Sequence, residues 1–205
     1  RLTSVHQITE AFFGPASSDV PIEAPEFSEI LDKWPTYPAL RSERAYTIFM
    51  RLQPEILKRL KQTDKTKEAV LAFDRFLSGL PAGVQLFSLF EANPQLIDLL
   101  VDIVGTSDHL AEYLARNAQV FDAVIGGSFW DAWPGSETLT QDLSKLLQTT
   151  EDYETKLDMT RRWVKEWHFR IGVHLLRDLT SVEQTAQEYA DLAEAALAAL
   201  WPERS

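Results

Sequence analysis

Apolar residues recur along this chain at intervals of three and four, the spacing of one face of an α-helix, in short runs separated by stop signals. The pattern is densest from Asp64 to Gly127. There Val70, Phe73, Leu77 and Leu80 form one stripe, Leu96, Leu99, Leu100 and Ile103 a second, and Leu110, Tyr113 and Leu114 a third. Gly79 and Pro81 close the first helix. Asn93-Pro94 opens the next, with a capping side chain beside a proline suited to the first turn. Gly105 ends that helix, and Thr106, Ser107 and Asp108 supply capping oxygens for another. The stretch predicts four or five short helices packed as a scaffold.

Upstream, Leu2 to Phe13 reads as the end of a preceding helical segment, and Ala16 to Pro25 as a joint. Glu26 to Trp34 predicts a short helix that breaks at Pro35 and Pro38, because the residue before a proline avoids helical geometry. Arg41 to Lys61 resumes the helical pattern, with Pro54 splitting it in two. Downstream, Gly126 to Gly135 (GGSFWDAWPG) is a turn-rich loop with two tryptophans, followed by a helix over Glu137 to Leu147. Asp152 to Leu179 carries Val164, Trp167, Ile171 and Leu175 on one face. The pair Thr180-x-x-Glu183 fits a capping box before a last helix with the stripe Val182, Ala186, Tyr189, Ala193, Leu197 and Leu200.

Sustained alternation and Asn-Gly hairpins are missing, so the expected class is all-α, a multi-helix bundle of short and long helices. A weak echo at an offset of 24 residues aligns Asn93 to Leu100 with Asn117 to Val124 and suggests a helical pseudo-repeat. The expected organisation is an end segment and joint over residues 1–25, a central helical domain over 26–148, and long helices over 149–205.

Charge narrows the partners. A formal net charge of −11 argues against nucleic acid, whose phosphates need a basic face. No run is apolar enough to span a membrane; the best, Leu96 to Val104, is interrupted by Asp98 and Asp102. The absence of cysteine removes thiol chemistry and Cys-based zinc sites. The chain begins at Arg1 without a leader pattern, and we read it as part of a longer cytoplasmic protein.

No reaction motif emerges. The four histidines, His6, His109, His168 and His174, lack metal-binding spacing and read as surface or helix-end residues. Asp98 and Asp102 read as a solvated helix face, and Glu151, Asp152 and Glu154 as a helix start. Gly126-Gly127-Ser128 followed by Asp131 resembles a nucleotidyltransferase turn, but two aspartates are needed there to hold Mg²⁺ against a triphosphate. Predicted catalytic, cofactor and metal residues are therefore none. One cluster stands out in the acidic chain: Arg161, Arg162, Lys165, Arg170 and Arg177 along one long helix, read either as a docking surface or as a solvated face paired with Glu154, Asp158 and Glu166.

Two blocks carry a family resemblance. FDRFLSGLPAGVQLFSL (Phe73 to Leu89) and FRIGVHLL (Phe169 to Leu176), with their flanks, resemble the bacterial glutamine synthetase adenylyltransferase family. The resemblance implies a large bifunctional enzyme in which one nucleotidyltransferase half removes AMP from glutamine synthetase and the other attaches it. On that likeness the chain is the helical region between the halves, non-catalytic itself, with residues 149–205 leading into a downstream nucleotidyltransferase domain. ATP and Mg²⁺ would belong to the full-length enzyme. Its partners would be glutamine synthetase, a PII-type signalling protein and the flanking catalytic domains. The basic residues named above, together with Trp130 and Trp133, would form an inter-domain or partner surface. The competing reading is a free-standing helical protein-interaction module.

Overall fold

Most helix ends fall where a capping oxygen or a glycine sits. The computed structural model describes residues 24–201, with side chains from Phe27 onward. Among these residues there are ten α-helices and no strand. They are α1 (Ala24–Lys33), α2 (Glu43–Lys61), α3 (Thr66–Gly79), α4 (Val84–Ala92), α5 (Gln95–Thr106), α6 (Asp108–Arg116), α7 (Val120–Ile125), α8 (Gly135–Leu147), α9 (Tyr153–Leu176) and α10 (Val182–Leu200). The expected helix end over Leu2 to Phe13 and most of the joint over 16–25 lie outside the described residues; α1 already begins at Ala24.

The chain divides into two compact units between Gln119 and Val120. The boundary expected at 148/149 falls inside the second unit, between α8 and α9.

The first unit is built around Trp34, which ends the α1 segment in a 3-10 turn and is fully buried. Its ring meets Phe49 of α2 edge-on at 5.7 Å and Phe73 of α3 at 5.3 Å. Asp74 accepts from both the Trp34 indole N–H (3.0 Å) and the Tyr37 hydroxyl (2.8 Å). Burial and that carboxylate push the Tyr37 phenol up to about 12. Helix α2 is continuous through Pro54, contrary to the expected split. A mid-helix proline costs about 3 kcal/mol. Leu52, Ile56, Leu57 and Leu60 are buried on both sides of it, at about 1.5–3 kcal/mol each, which outweighs that cost.

Asn93 caps backward rather than forward. Its side-chain amide donates to the Leu89 carbonyl at 3.1 Å and closes α4, while α5 starts at Pro94 without a side-chain cap. Asn117 does the same for α6, donating to the Tyr113 carbonyl at 2.9 Å. The 24-residue echo thus has a local counterpart in two C-terminal asparagine caps. It goes no further: α5 has 12 residues and α7 has 6, and the unit boundary falls between Asn117 and α7. Ser107 caps α6 as expected, accepting from the Leu110 N–H at 3.2 Å.

In the second unit α8 and α9 both pack on α10. Leu139, Leu143 and Leu147 of α8, Phe169, Ile171 and Val173 of α9, and Leu192 and Ala195 of α10 form its core. The capping box of α10 lies one residue later than expected, between Ser181 and Gln184. Asp178 takes the left-handed conformation (φ 56°) to end α9, and Thr180 bonds the Thr185 hydroxyl instead. On α10 Thr185, Glu188, Leu192 and Ala195 are buried, while Val182, Ala186, Tyr189, Ala193 and Leu197 of the apolar stripe are exposed. Small Ala195 lets the backbone approach its neighbours, and Thr185, turned inward, meets the Thr180 hydroxyl at 3.2 Å.

Candidate functional site

The site predicted from the sequence lies wholly in the second unit, where the loop between α7 and α8 meets α9. Gly127 starts the loop with φ 83°, a conformation glycine adopts without steric cost, and Ser128–Trp130 follow as one 3-10 turn. The turn delivers Phe129 into the core against Phe169, at 6.0 Å. Trp130, half exposed, lies stacked on His174 with centroids 5.5 Å apart, and its indole N–H donates to the Val124 carbonyl at 3.1 Å.

Trp133 reaches further along. Its indole N–H donates to Asp191 of α10 at 2.8 Å, and its ring meets Trp167 of α9 edge-on at 5.4 Å. Arg170 closes the cluster. Its guanidinium donates to the Asp131 backbone carbonyl at 2.6 Å and sits over the Trp167 ring at 4.8 Å. Burial pulls Arg170 below its ordinary value, while Asp131 and Glu188 hold it up. The same burial raises Glu188, with Arg170 pulling it back.

The predicted surface therefore splits. Arg170 and Trp133 are bonded into the packing of the unit, and Trp130 is half committed. Arg161, Arg162 and Lys165 remain on the exposed side of α9, Arg161 paired with Asp158 at 2.8 Å. Arg177 is exposed at the helix end, where its N–H closes α9 onto Val173.

His174 sits in the last turn of α9, the helix-end position read from the sequence, and it is buried there, with Nε2 2.6 Å from the Phe129 carbonyl oxygen. A carbonyl only accepts, so Nε2 carries the proton. Burial lowers the His174 pKa, the Phe129 bond opposes that, and the Arg170 charge adds to the lowering. Asp191 and Glu188 were not singled out, because one helix of polar residues gives no sign of which face is covered.

The arrangement is a clamp: Phe129, Trp130 and Trp133 of the loop, with Arg170, tie the loop to two helices. Among the described residues no group of three His, Cys, Asp or Glu could hold a metal ion. Of the carboxylates Asp98 and Asp102, Asp98 is salt-bridged to Arg59. Asp152 caps α9, accepting from the Thr155 N–H at 2.8 Å, as the helix-start reading implied.

Fold and site define a class first: an all-helical module in which part of the predicted surface is bonded into the packing. A family model described as glutamate-ammonia ligase adenylyltransferase matches residues 97–203, and the chain belongs to that family. It is 37% identical over 158 residues to the bifunctional glutamine synthetase adenylyltransferase/adenylyl-removing enzyme of Brucella melitensis biotype 1, covering 77% of this chain and 16% of that protein. Enzymes of the same name from Mesorhizobium japonicum and Agrobacterium fabrum are 37% and 36% identical over 171 residues, covering 82% of this chain and 17% of theirs. The chain thus spans about a sixth of the length of the curated relatives it matches. No solved structure matches it.

Proposed function

We propose that this chain is a non-catalytic helical linker and regulatory region of a bifunctional enzyme that attaches AMP to glutamine synthetase and removes it. The observation behind this is the combination of family membership with the side chains present. The region spans a sixth of its relatives, and Arg170 and His174 beside the tryptophan loop are bonded into packing. The exposed Arg161, Arg162 and Lys165 then serve as a contact surface for a flanking catalytic domain or an acidic regulator such as a PII-type protein. A positive patch on a chain of net charge −11 steers such an encounter. ATP and Mg²⁺ bind elsewhere in the full-length cytoplasmic enzyme.

Isothermal titration calorimetry of the chain with ATP–Mg²⁺, glutamine and a PII-type protein, each in turn, tests this. No heat with ATP–Mg²⁺ and measurable binding of the regulator support a sensing linker. Tight ATP–Mg²⁺ binding contradicts the non-catalytic reading. Silence with all three reduces the region to a passive spacer.

A further inference from the structure

In the first unit, α2 and α4 flank a groove of about 540 Å³, a volume suited to a small molecule. Positions 43, 44, 47, 48 and 51 of α2 line it, a helical spacing that keeps them on one face, and Ser88 and Glu91 of α4 form the other wall. The two helices are held together beneath it, where the Phe49 and Phe87 rings meet at 5.1 Å and Ile48 is buried as the floor. Charges of both signs line the walls. At one end Arg51 donates to Glu91 at 2.7 Å, an ion pair that bridges the two helices. Glu43 and Arg44 also line the groove, both exposed, and neither side chain has an ion pair or hydrogen bond among the described residues. Thr47 and Ser88 add a hydroxyl from each wall.

Two arginines against two glutamates leave the lining with no formal charge. A phosphate or a dicarboxylate would meet the glutamates there, and a polyamine the arginines. An apolar molecule would take water from four charged side chains and return nothing. The lining instead matches a ligand that is neutral overall and carries both charges. We propose that this groove binds a free α-amino acid with an uncharged polar side chain. Its carboxylate accepts from the Arg44 guanidinium, and its ammonium donates to Glu43. Glu43 and Arg44 are neighbours in the chain, as those two charges are neighbours on one carbon. The ligand side chain runs toward Thr47 and Ser88, whose hydroxyls both donate and accept. The Arg51–Glu91 pair is already satisfied, so it closes the far end without calling for a further charge. The groove shares no residue with the contact surface of α9, so each reading can fail alone.

Saturation-transfer difference NMR on the full-length protein tests this with L-asparagine and L-glutamine. Each is compared with the analogue lacking its ammonium (succinamate, glutaramate) and the analogue lacking its carboxylate (β-alaninamide, γ-aminobutyramide). At least one of the amino acids is expected to bind with a Kd of about 1 mM or tighter, and its analogues to give no signal. Arg44→Gln and Glu43→Gln should each weaken binding by roughly fivefold or more, since each removes a charge-assisted bond. Both side chains are exposed, so neither change threatens the packing, and Arg162→Gln should leave binding unchanged. No signal from either amino acid, binding that survives both groove substitutions, or analogues that bind as well as their parent would each overturn the proposal. A loss caused equally by Arg162→Gln would overturn it too, by moving the site to α9.

Discussion

Two residues show how closely local chemistry is set. A Cβ on Gly83 would lie 2.2 Å from the Phe87 ring and 2.5 Å from the Ala39 carbonyl oxygen, so the turn before α4 tolerates no side chain. Gly83→Ala is expected to destabilise the protein by about 1–3 kcal/mol, the range for overpacking, read as a drop in the urea midpoint. His174 supplies a pH signature. Its folded pKa lies below the ordinary 6.5, so between those values the unfolded chain binds the proton and the folded one does not. Its contribution is complete above pH 6.5 and is lost as pH falls toward the lowered value. His174→Gln keeps an N–H for the Phe129 carbonyl without a titrating ring. Denaturation midpoints from pH 7 to 5 should fall less steeply in this variant than in the parent; equal slopes would mean that His174 is not held neutral. Neither residue was legible in the sequence, since both depend on atoms distant in the chain. Gly83 is governed by Ala39, and His174 by a carbonyl 45 residues away.

At the scale of elements the sequence was read more successfully, and its failures have one cause. Helix positions followed from apolar spacing and from caps such as Ser107 and Asp152, because a cap acts within three residues of itself. What failed were decisions made by tertiary packing. Pro54 lies inside α2 because buried leucines flank it on both sides. Pro54→Ala restores a backbone hydrogen bond and removes the ring clash, at the expense of some unfolded-state stiffness. We expect a net gain of about 1–2 kcal/mol, seen as a higher Tm; a lower Tm would show that α2 is shaped around the proline. On α10 the spacing picks out the apolar stripe, and the fold leaves most of it exposed. Periodicity reports that a helix has two faces and leaves open which one its own unit covers. The basic residues of α9 divide in the same way: spacing grouped them, and only the folded loop shows that Arg170 belongs to the clamp while Arg162 and Lys165 face outward.

For the whole molecule, two surfaces of the second unit remain available: the basic patch on α9 and the apolar face of α10. They suit different contacts. A charged patch governs encounter and can be altered without unfolding anything, whereas an apolar face implies a standing contact. The chain belongs to the glutamate-ammonia ligase adenylyltransferase family, and Trp133 and Arg170 are bonded within its own second unit.

The central claim is that this region couples the two activities through contact. The most direct measurement is the rate of AMP attachment to glutamine synthetase and the rate of its removal, in full-length enzyme carrying Arg162→Glu with Lys165→Glu. Both side chains are exposed, so the Tm should stay unchanged while the ratio of the two rates, and its response to glutamine and a PII-type protein, shifts by roughly fivefold or more. Unchanged rates and an unchanged response, in a variant that folds normally, would contradict the account.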